Sequence, residues 1–173
     1  MPVTLRQVTE PELTIMPGLC ALLVDAVNGG ASVGFMAPLS DGEAASYWEQ
    51  VFSQLGPQLW LWVAEDHDRI VGSVQLAPCR KPNGLHRAEL QKLFVHSAER
   101  GNGIARLLLD AVERMARSAN LSLLVLDTLR GSAAESLYSR LGWTRAGEVP
   151  DYAHSPFGGL HPTVIFYKQL PPH

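Results

Sequence analysis

The chain has 173 residues, 46% of them hydrophobic and 18% charged, about what one compact domain needs. Its formal net charge of −3, from 14 Lys+Arg against 17 Asp+Glu, excludes the broad basic field of a nucleic-acid or anionic-lipid binder, leaving room only for a local basic pocket. Two cysteines, Cys20 and Cys79, stand apart from any CxxC or Cys/His pattern, which excludes a tetrahedral metal site and points to reduced thiols.

The opening "MPVTLRQVTE" lacks the basic-then-apolar pattern of a signal peptide, so a cytoplasmic protein is expected, and no run approaches the ~20 apolar residues of a membrane span. Val3 to Val8 alternate as a strand does. From Pro11, "ELTIMPGLCALLVDAVNGG" carries leucines and valines at helical spacing and closes at Gly29 and Gly30. The loop "NGGASVGFMAPL" is unusually apolar, a composition suited to covering a pocket. A second helix, "DGEAASYWEQVFSQLG", has acidic residues in its first turn and stops at Gly56-Pro57. "LWLWVAEDHDRIVGSVQLAPC" reads as a hairpin turning at Asp66 to Arg69, and the alternation of Trp60 and Trp62 with Leu61 and Val63 favours sheet packing over ligand stacking.

"AELQKLFV" is a further strand, followed by a helix from about Gly103 to Ala119. "LSLLVLD" is evenly apolar and predicts a strand buried on both faces, completing a β-α-β unit. Ser132 and Glu135 have capping-box spacing at the head of a last helix ending near Gly142, and "HPTVIFYKQL" is the final strand. Without repeat or linker, the chain reads as one domain over 1–173, a mixed α/β sheet with flanking helices.

The turn at Arg100 to Ala105 joins strand to helix, and a helix N-terminus behind glycines suits an anion: free N–H groups point outward and the dipole favours negative charge. A plain structural turn has the same spacing. There is no GxxxxGK[ST] and no third glycine of GxGxxG, so nucleotide kinases and dinucleotide enzymes are excluded. What stands is Arg100-Gly101-Asn102-Gly103-Ile104-Ala105 after Leu93-Phe94-Val95, which resembles the diphosphate loop of the GNAT superfamily of acetyl-CoA N-acetyltransferases. Ala134, Leu137, Tyr138, Gly142 and Trp143 match that superfamily's A-x-x-L-Y-x-x-x-G-F, although Gly131 stands where an asparagine is frequent. "NGGASVGFM", "KPNGLHRAELQKLFV", "LDT" and "GGLHPT" look like members that acetylate β-lactam amino-acid toxins such as tabtoxin.

The resemblance implies a mostly antiparallel central sheet with a splayed parallel strand pair, and acetyl-CoA as cosubstrate without a metal. It implies cofactor contacts from Leu93, Phe94, Val95, Arg100, Gly101, Asn102, Gly103, Ile104 and Ala105, with Ser132 and Glu135 standing near the missing asparagine. The other expected partner is a small-molecule amine. Nucleic acid and membrane are not expected, and the protein is expected as a monomer or homodimer.

Acetyl transfer to an amine of pKa near ~10 needs a proton acceptor for the ammonium and a proton donor for the departing thiolate. Glu89, early on the strand before the turn, is the candidate base, with a solvated ion pair to Arg87 or Lys92 as the alternative. Asp127 ends a buried strand at the edge where α/β sheets bind ligands, a place for substrate binding or proton handling, or for an Asx cap. Tyr138 is the acid implied by the resemblance, while Leu137, Tyr138 and Leu141 also have the spacing of a buried stripe. A non-catalytic acyl-CoA sensor and a protein N-acetyltransferase are the competing readings. The histidines are too scattered for a metal site.

Overall fold

The computed structural model describes residues 2–172. In chain order it has β1 (Thr4–Val8), a short 3-10 turn (Leu13–Ile15), α1 (Met16–Asn28), α2 (Asp41–Gln54), β2 (Trp60–Asp66), β3 (Arg69–Pro78) and β4 (Arg87–Val95). A 3-10 turn (Ser97–Glu99), α3 (Ile104–Ser118), β5 (Leu123–Leu129), α4 (Ala133–Arg140), β6 (Thr144–His154) and β7 (Leu160–Gln169) follow. The seven strands form one sheet in the order β1-β2-β3-β4-β5-β7-β6. Every neighbouring pair is antiparallel except β4 and β5, which run parallel.

Two apolar layers hold this sheet. On one face α3 buries Ile104, Leu108, Leu109, Val112 and Ala116, the i, i+4, i+5, i+8, i+12 stripe of an amphipathic helix, against Val71, Val74, Leu90, Leu124 and Leu126. On the other, α1 and α2 set Leu19, Leu23, Val27, Trp48 and Phe52 against Leu61, Val63, Ile70 and Phe94. Trp62 packs with the α3 layer and stands 6.4 Å from Trp60 in a T-shaped pair, the packing role its alternation indicates.

Several local expectations are corrected. The helix expected from Pro11 becomes a 3-10 turn and then α1 from Met16, with Pro17 in its first turn, where a missing N–H matters least. A complete capping box occurs at α2: Ser40 Oγ accepts from Glu43 N at 3.1 Å, and the Glu43 carboxylate accepts from Ser40 N at 2.9 Å. At α4 only half of one forms, because Glu135 reaches past Ser132 to accept from Gly131 N. β5 is not buried on both faces: Leu124 and Leu126 are, but Leu123 and Val125 are half-covered and Asp127 is exposed. Apolar composition alone could not distinguish a two-sided strand from one bordering a cleft. Segment 144–154, unassigned above, forms the exposed edge strand β6.

Candidate active site

The site begins with a fault in the sheet. β4 and β5 pair only at Arg87–Leu123, Ala88–Leu124 and Glu89–Val125, and then part. The cause lies in β4, where Ser73 of β3 faces Phe94 while Gln75 faces Gln91, so that β4 holds one extra residue. Lys92, at φ 54, takes up that bulge. The extra residue also reverses the strand's two faces. Ala88 and Leu90 belong to the α3 layer, as do Leu93 and Val95 beyond the bulge, whereas Phe94 is driven into the α1/α2 layer. Beyond Glu89, the β4 edge toward β5 has no strand partner among the described residues, leaving ladder groups for an extended ligand.

At the end of β4 lies the glycine turn. Gly101 and Gly103 sit at φ 83 and 78, and at both a side chain would project into open space with no atom within 4 Å. Gly103 is the N-cap of α3 and offers no side-chain acceptor, unlike the serine caps of α2 and α4. The first backbone bond into α3 is Leu107 N to Gly103 O, at 3.1 Å. The N–H groups of Ile104, Ala105 and Arg106 therefore have no acceptor among the described residues, and they open onto the space the glycines leave bare. Unpaired N–H groups at a helix N-terminus have the polarity that favours an anion. Ile104 contributes only its backbone, since its side chain is buried. Arg100, Asn102 and Arg106 are exposed at the rim. From behind, Asp25 of α1 accepts from Ser97 N at 2.8 Å and from Ser97 Oγ at 2.6 Å, fixing the approach to the turn.

Glu89 and Asp127 lie on the α1/α2 face at the mouth of the splay. Glu89 is in register with Val125, and Asp127 is two residues further along the same face of β5. Partial burial raises the Glu89 pKa above its ordinary value, the charge of Asp127 raises it further, and Lys92 opposes both. Asp127 is oriented by Thr163 of β7, whose Oγ1 donates to its carboxylate at 2.9 Å. Beneath them is a polar floor that sequence reasoning missed. Buried Gln75 donates to the Tyr47 hydroxyl at 2.9 Å and accepts from Gln91 at 3.2 Å. A glutamine inside the apolar run "IVGSVQLAP" was its visible signal. Burial pushes the Tyr47 pKa up to about 12, so this hydroxyl stays protonated.

Tyr138 approaches from the opposite layer. Its ring lies 5.6 Å from Trp143 and 6.0 Å from Phe166. Gly142, at φ 86, ends α4 with Trp143 N bonded back to Tyr138 O at 3.1 Å, the Schellman arrangement that brings Trp143 onto the tyrosine. Burial, and secondarily the charge of Asp127, raise the Tyr138 pKa well above that of a free phenol. Its hydroxyl has no hydrogen-bond partner among the described residues and is available to a ligand. Ser132 and Glu135 are occupied in capping α4: Ser132 Oγ donates to Leu129 O at 2.6 Å and accepts from Glu135 N at 3.3 Å. The loop after α1 closes the α1/α2 side, with Phe35 edge-on to Tyr47 at 5.2 Å and Ala37 N donating to Pro156 O at 2.9 Å. Among the described residues no three His, Cys, Asp or Glu side chains converge as metal ligands.

Residues 57–145, just over half of the chain and the part holding the splayed strands and the glycine turn, match the acetyltransferase (GNAT) domain family. This chain belongs to the GNAT acetyltransferase family. The GNAT domain is 36% identical to human N-acetyltransferase 8B over 112 residues, covering 64% of this chain and 49% of that protein, so it spans about half the length of such relatives. It is 32% identical over 127 residues to an N-acetyltransferase encoded in the hisH-hisA intergenic region of Azospirillum brasilense, covering 72% of this chain and 74% of that one. In fold it matches the yncA acetyltransferase structure of Salmonella typhimurium, determined with its cofactor acetyl-CoA, at a TM-score of 0.78 and 18% identity over 100% of this chain and 96% of the other. Acetyl-CoA is the donor of the family, and the uncapped α3 turn and the open β4 edge fit its diphosphate and its extended arm. No helix among the described residues is long and apolar enough to cross a membrane.

Proposed function

We propose that this GNAT domain, acting as one unit over 1–173, transfers the acetyl group of acetyl-CoA to the amine of a small, amino-acid-like molecule. The observation that carries the reading is the splay itself. It sets two carboxylates on one side of a gap and an unpartnered tyrosine hydroxyl on the other, with an anion cradle at the end of the strand. When bound, acetyl-CoA supplies a thioester carbonyl for the amine to attack, forming the C–N bond as the C–S bond breaks. Glu89 takes the amine proton directly or through water, helped by a raised proton affinity. Asp127 holds the incoming ammonium beside it, and Tyr138 gives its proton to the leaving sulfur. Arg100, Gly101, Asn102, Gly103 and the α3 amides hold the diphosphate, while the backbone of Leu93, Phe94 and Val95 pairs with the pantetheine arm.

Similarity of "NGGASVGFM", "LDT" and "GGLHPT" to tabtoxin resistance protein supports a toxin or antibiotic amino acid as acceptor, handled in the cytoplasm by a monomer or homodimer. The test is thiol release from acetyl-CoA across amino acids, β-lactam amino acids, polyamines, aminoglycosides and peptides. Release with the small amino acids supports the proposal. Release with peptides alone turns it to protein acetylation, and acetyl-CoA binding with no release turns it to a sensor.

Tyr138→Phe is expected to lower kcat while leaving acetyl-CoA affinity nearly unchanged, because the ring keeps its packing on Trp143 and Phe166 and only the hydroxyl is lost. A thiol of pKa about 8.5 leaves with little help, so the drop should be roughly ten- to a hundred-fold, at the low end for acid catalysis. Single-turnover kinetics beside calorimetry measure it. An unchanged chemical step leaves Tyr138 a packing residue.

A further inference from the structure

The acceptor side holds one cation that the transfer chemistry above does not employ. Lys92 stands on the β4 bulge, half-buried, with its ammonium donating to Val33 O and lying 5.9 Å from the centroid of the Phe35 ring. An ammonium has three N–H donors, so this single acceptor leaves two unfilled. Lys92 forms no ion pair among the described residues. Space beside it is kept clear, because residue 34 is glycine at φ 96 and a Cβ there would lie 3.5 Å from Nζ. Glu89 and Asp127 are close enough for their charges to act on the lysine, yet neither comes within bonding distance. Burial accordingly pulls its proton affinity down, with those carboxylates only partly offsetting the loss.

A partly desolvated cation with free donors is expensive unless an anion completes it. Two carboxylates and one ammonium around a single cleft form the complement of a zwitterion. We propose that Lys92 binds the carboxylate of the acceptor, so that this site selects α-amino-acid-like molecules, their ammonium toward Glu89 and Asp127 and their carboxylate on Lys92. Polyamines and aminoglycosides bring only positive charge and leave Lys92 opposed. This rests on the acetyl-transfer reading above and adds to it the residue that would select that substrate class. Val33 and Phe35 give the lysine its rigidity, since the loop after α1 holds the ammonium in place before any ligand arrives.

The test compares each amino acid with its own carboxamide, which keeps the side chain and removes the negative charge; because the amide also lowers the pKa of the neighbouring amine, rates for both are expressed per concentration of free amine. With wild-type full-length protein, kcat/KM for thiol release should favour the free acid by roughly ten- to a hundred-fold, the worth of a hydrogen bond to a charged group. Lys92→Met and Lys92→Gln should abolish that preference through KM for the acid, with KM for acetyl-CoA nearly unchanged; both substrates are compared at a pH above the acid limb, because loss of Lys92 also lets the Glu89 pKa rise and slows acid and carboxamide alike below it. Lys92→Arg should restore part of it. Equal losses on acid and carboxamide would make Lys92 a latch for the loop and overturn the proposal, as would a wild-type protein indifferent to the carboxylate. Calorimetry of the same amino acids with CoA present separates the two readings. Lys92-dependent binding without thiol release would support this subsite while removing the transferase reading, and no binding of any amino acid would remove the subsite.

Discussion

Glu89→Gln is expected to lower kcat by about 10²–10⁴ with acetyl-CoA binding intact, the usual worth of a positioned general base. The amide has the carboxylate's shape, and residue 89 keeps part of its surface open at the mouth of the gap, so the fold should tolerate it. The pH profile identifies the mechanism. Glu89 must be ionised to accept a proton, and burial and Asp127 raise its pKa, so the acid limb of wild-type kcat/KM should lie above the ordinary carboxylate range. Asp127→Asn removes a charge that raises it and should move the limb to lower pH, while raising KM for the amine. In Glu89→Gln the limb should vanish, replaced by a steady rise with pH as solution supplies more free amine. Wild-type activity and pH dependence in Glu89→Gln would pass the base role to Asp127 or to a water chain.

Gly103→Val should abolish stabilisation by acetyl-CoA. For the wild-type protein, donor at about 100 times its Kd adds about 2.7 kcal/mol, which for a domain of this size is roughly 5–10 °C in Tm. The variant suffers twice. Its N-cap conformation at φ 78 is left-handed, where a β-branched residue adds about 1–2 kcal/mol of strain, and its side chain fills the space above the free α3 amides. Gly103→Ala separates these effects: it should lose apo stability but keep part of the donor's shift, since one methyl blocks less of the cradle. A full ligand shift in a folded Gly103→Val would mean that the diphosphate lies elsewhere.

The elements were largely legible because their signals are local. The glycine turn, the amphipathic stripe of α3 and the turn at Asp66 to Arg69 are each written within a few residues, and each appears in the fold. The GNAT motifs brought the fold and the donor with them. The bulge was legible only as a fault: "AELQKLFV" alternates as far as Gln91 and then breaks, with Lys92 where an apolar residue is due and Leu93, Phe94 and Val95 running on together, but nothing in it tells that Lys92 adopts φ 54 and turns Phe94 to the opposite layer. Strict alternation would have put Glu89, Leu93 and Val95 on one face and left no splay. The sequence near Lys92 offers it only Glu89 as an ion-pair partner, because its surroundings in the fold, Val33 and Phe35, are 59 and 57 positions away in the chain. The buried pair of Gln75 and Tyr47 depends likewise on α2 folding over β3.

The short ladder between β4 and β5 also has mechanical weight. Three residue pairs join these strands, against seven between β5 and β7 and seven between β2 and β3. The sheet is thus two well-knit halves meeting at a seam, bridged below by the apolar layer under α3. Opening free energies in a protein follow where its bonds are sparse, so this seam is where opening is expected to cost least. An extended chain laid in the gap acts as a keystone. By bonding to the free edge of β4 it extends the ladder past the point where β5 leaves it, and the β4 amides at the seam are those expected to stiffen first.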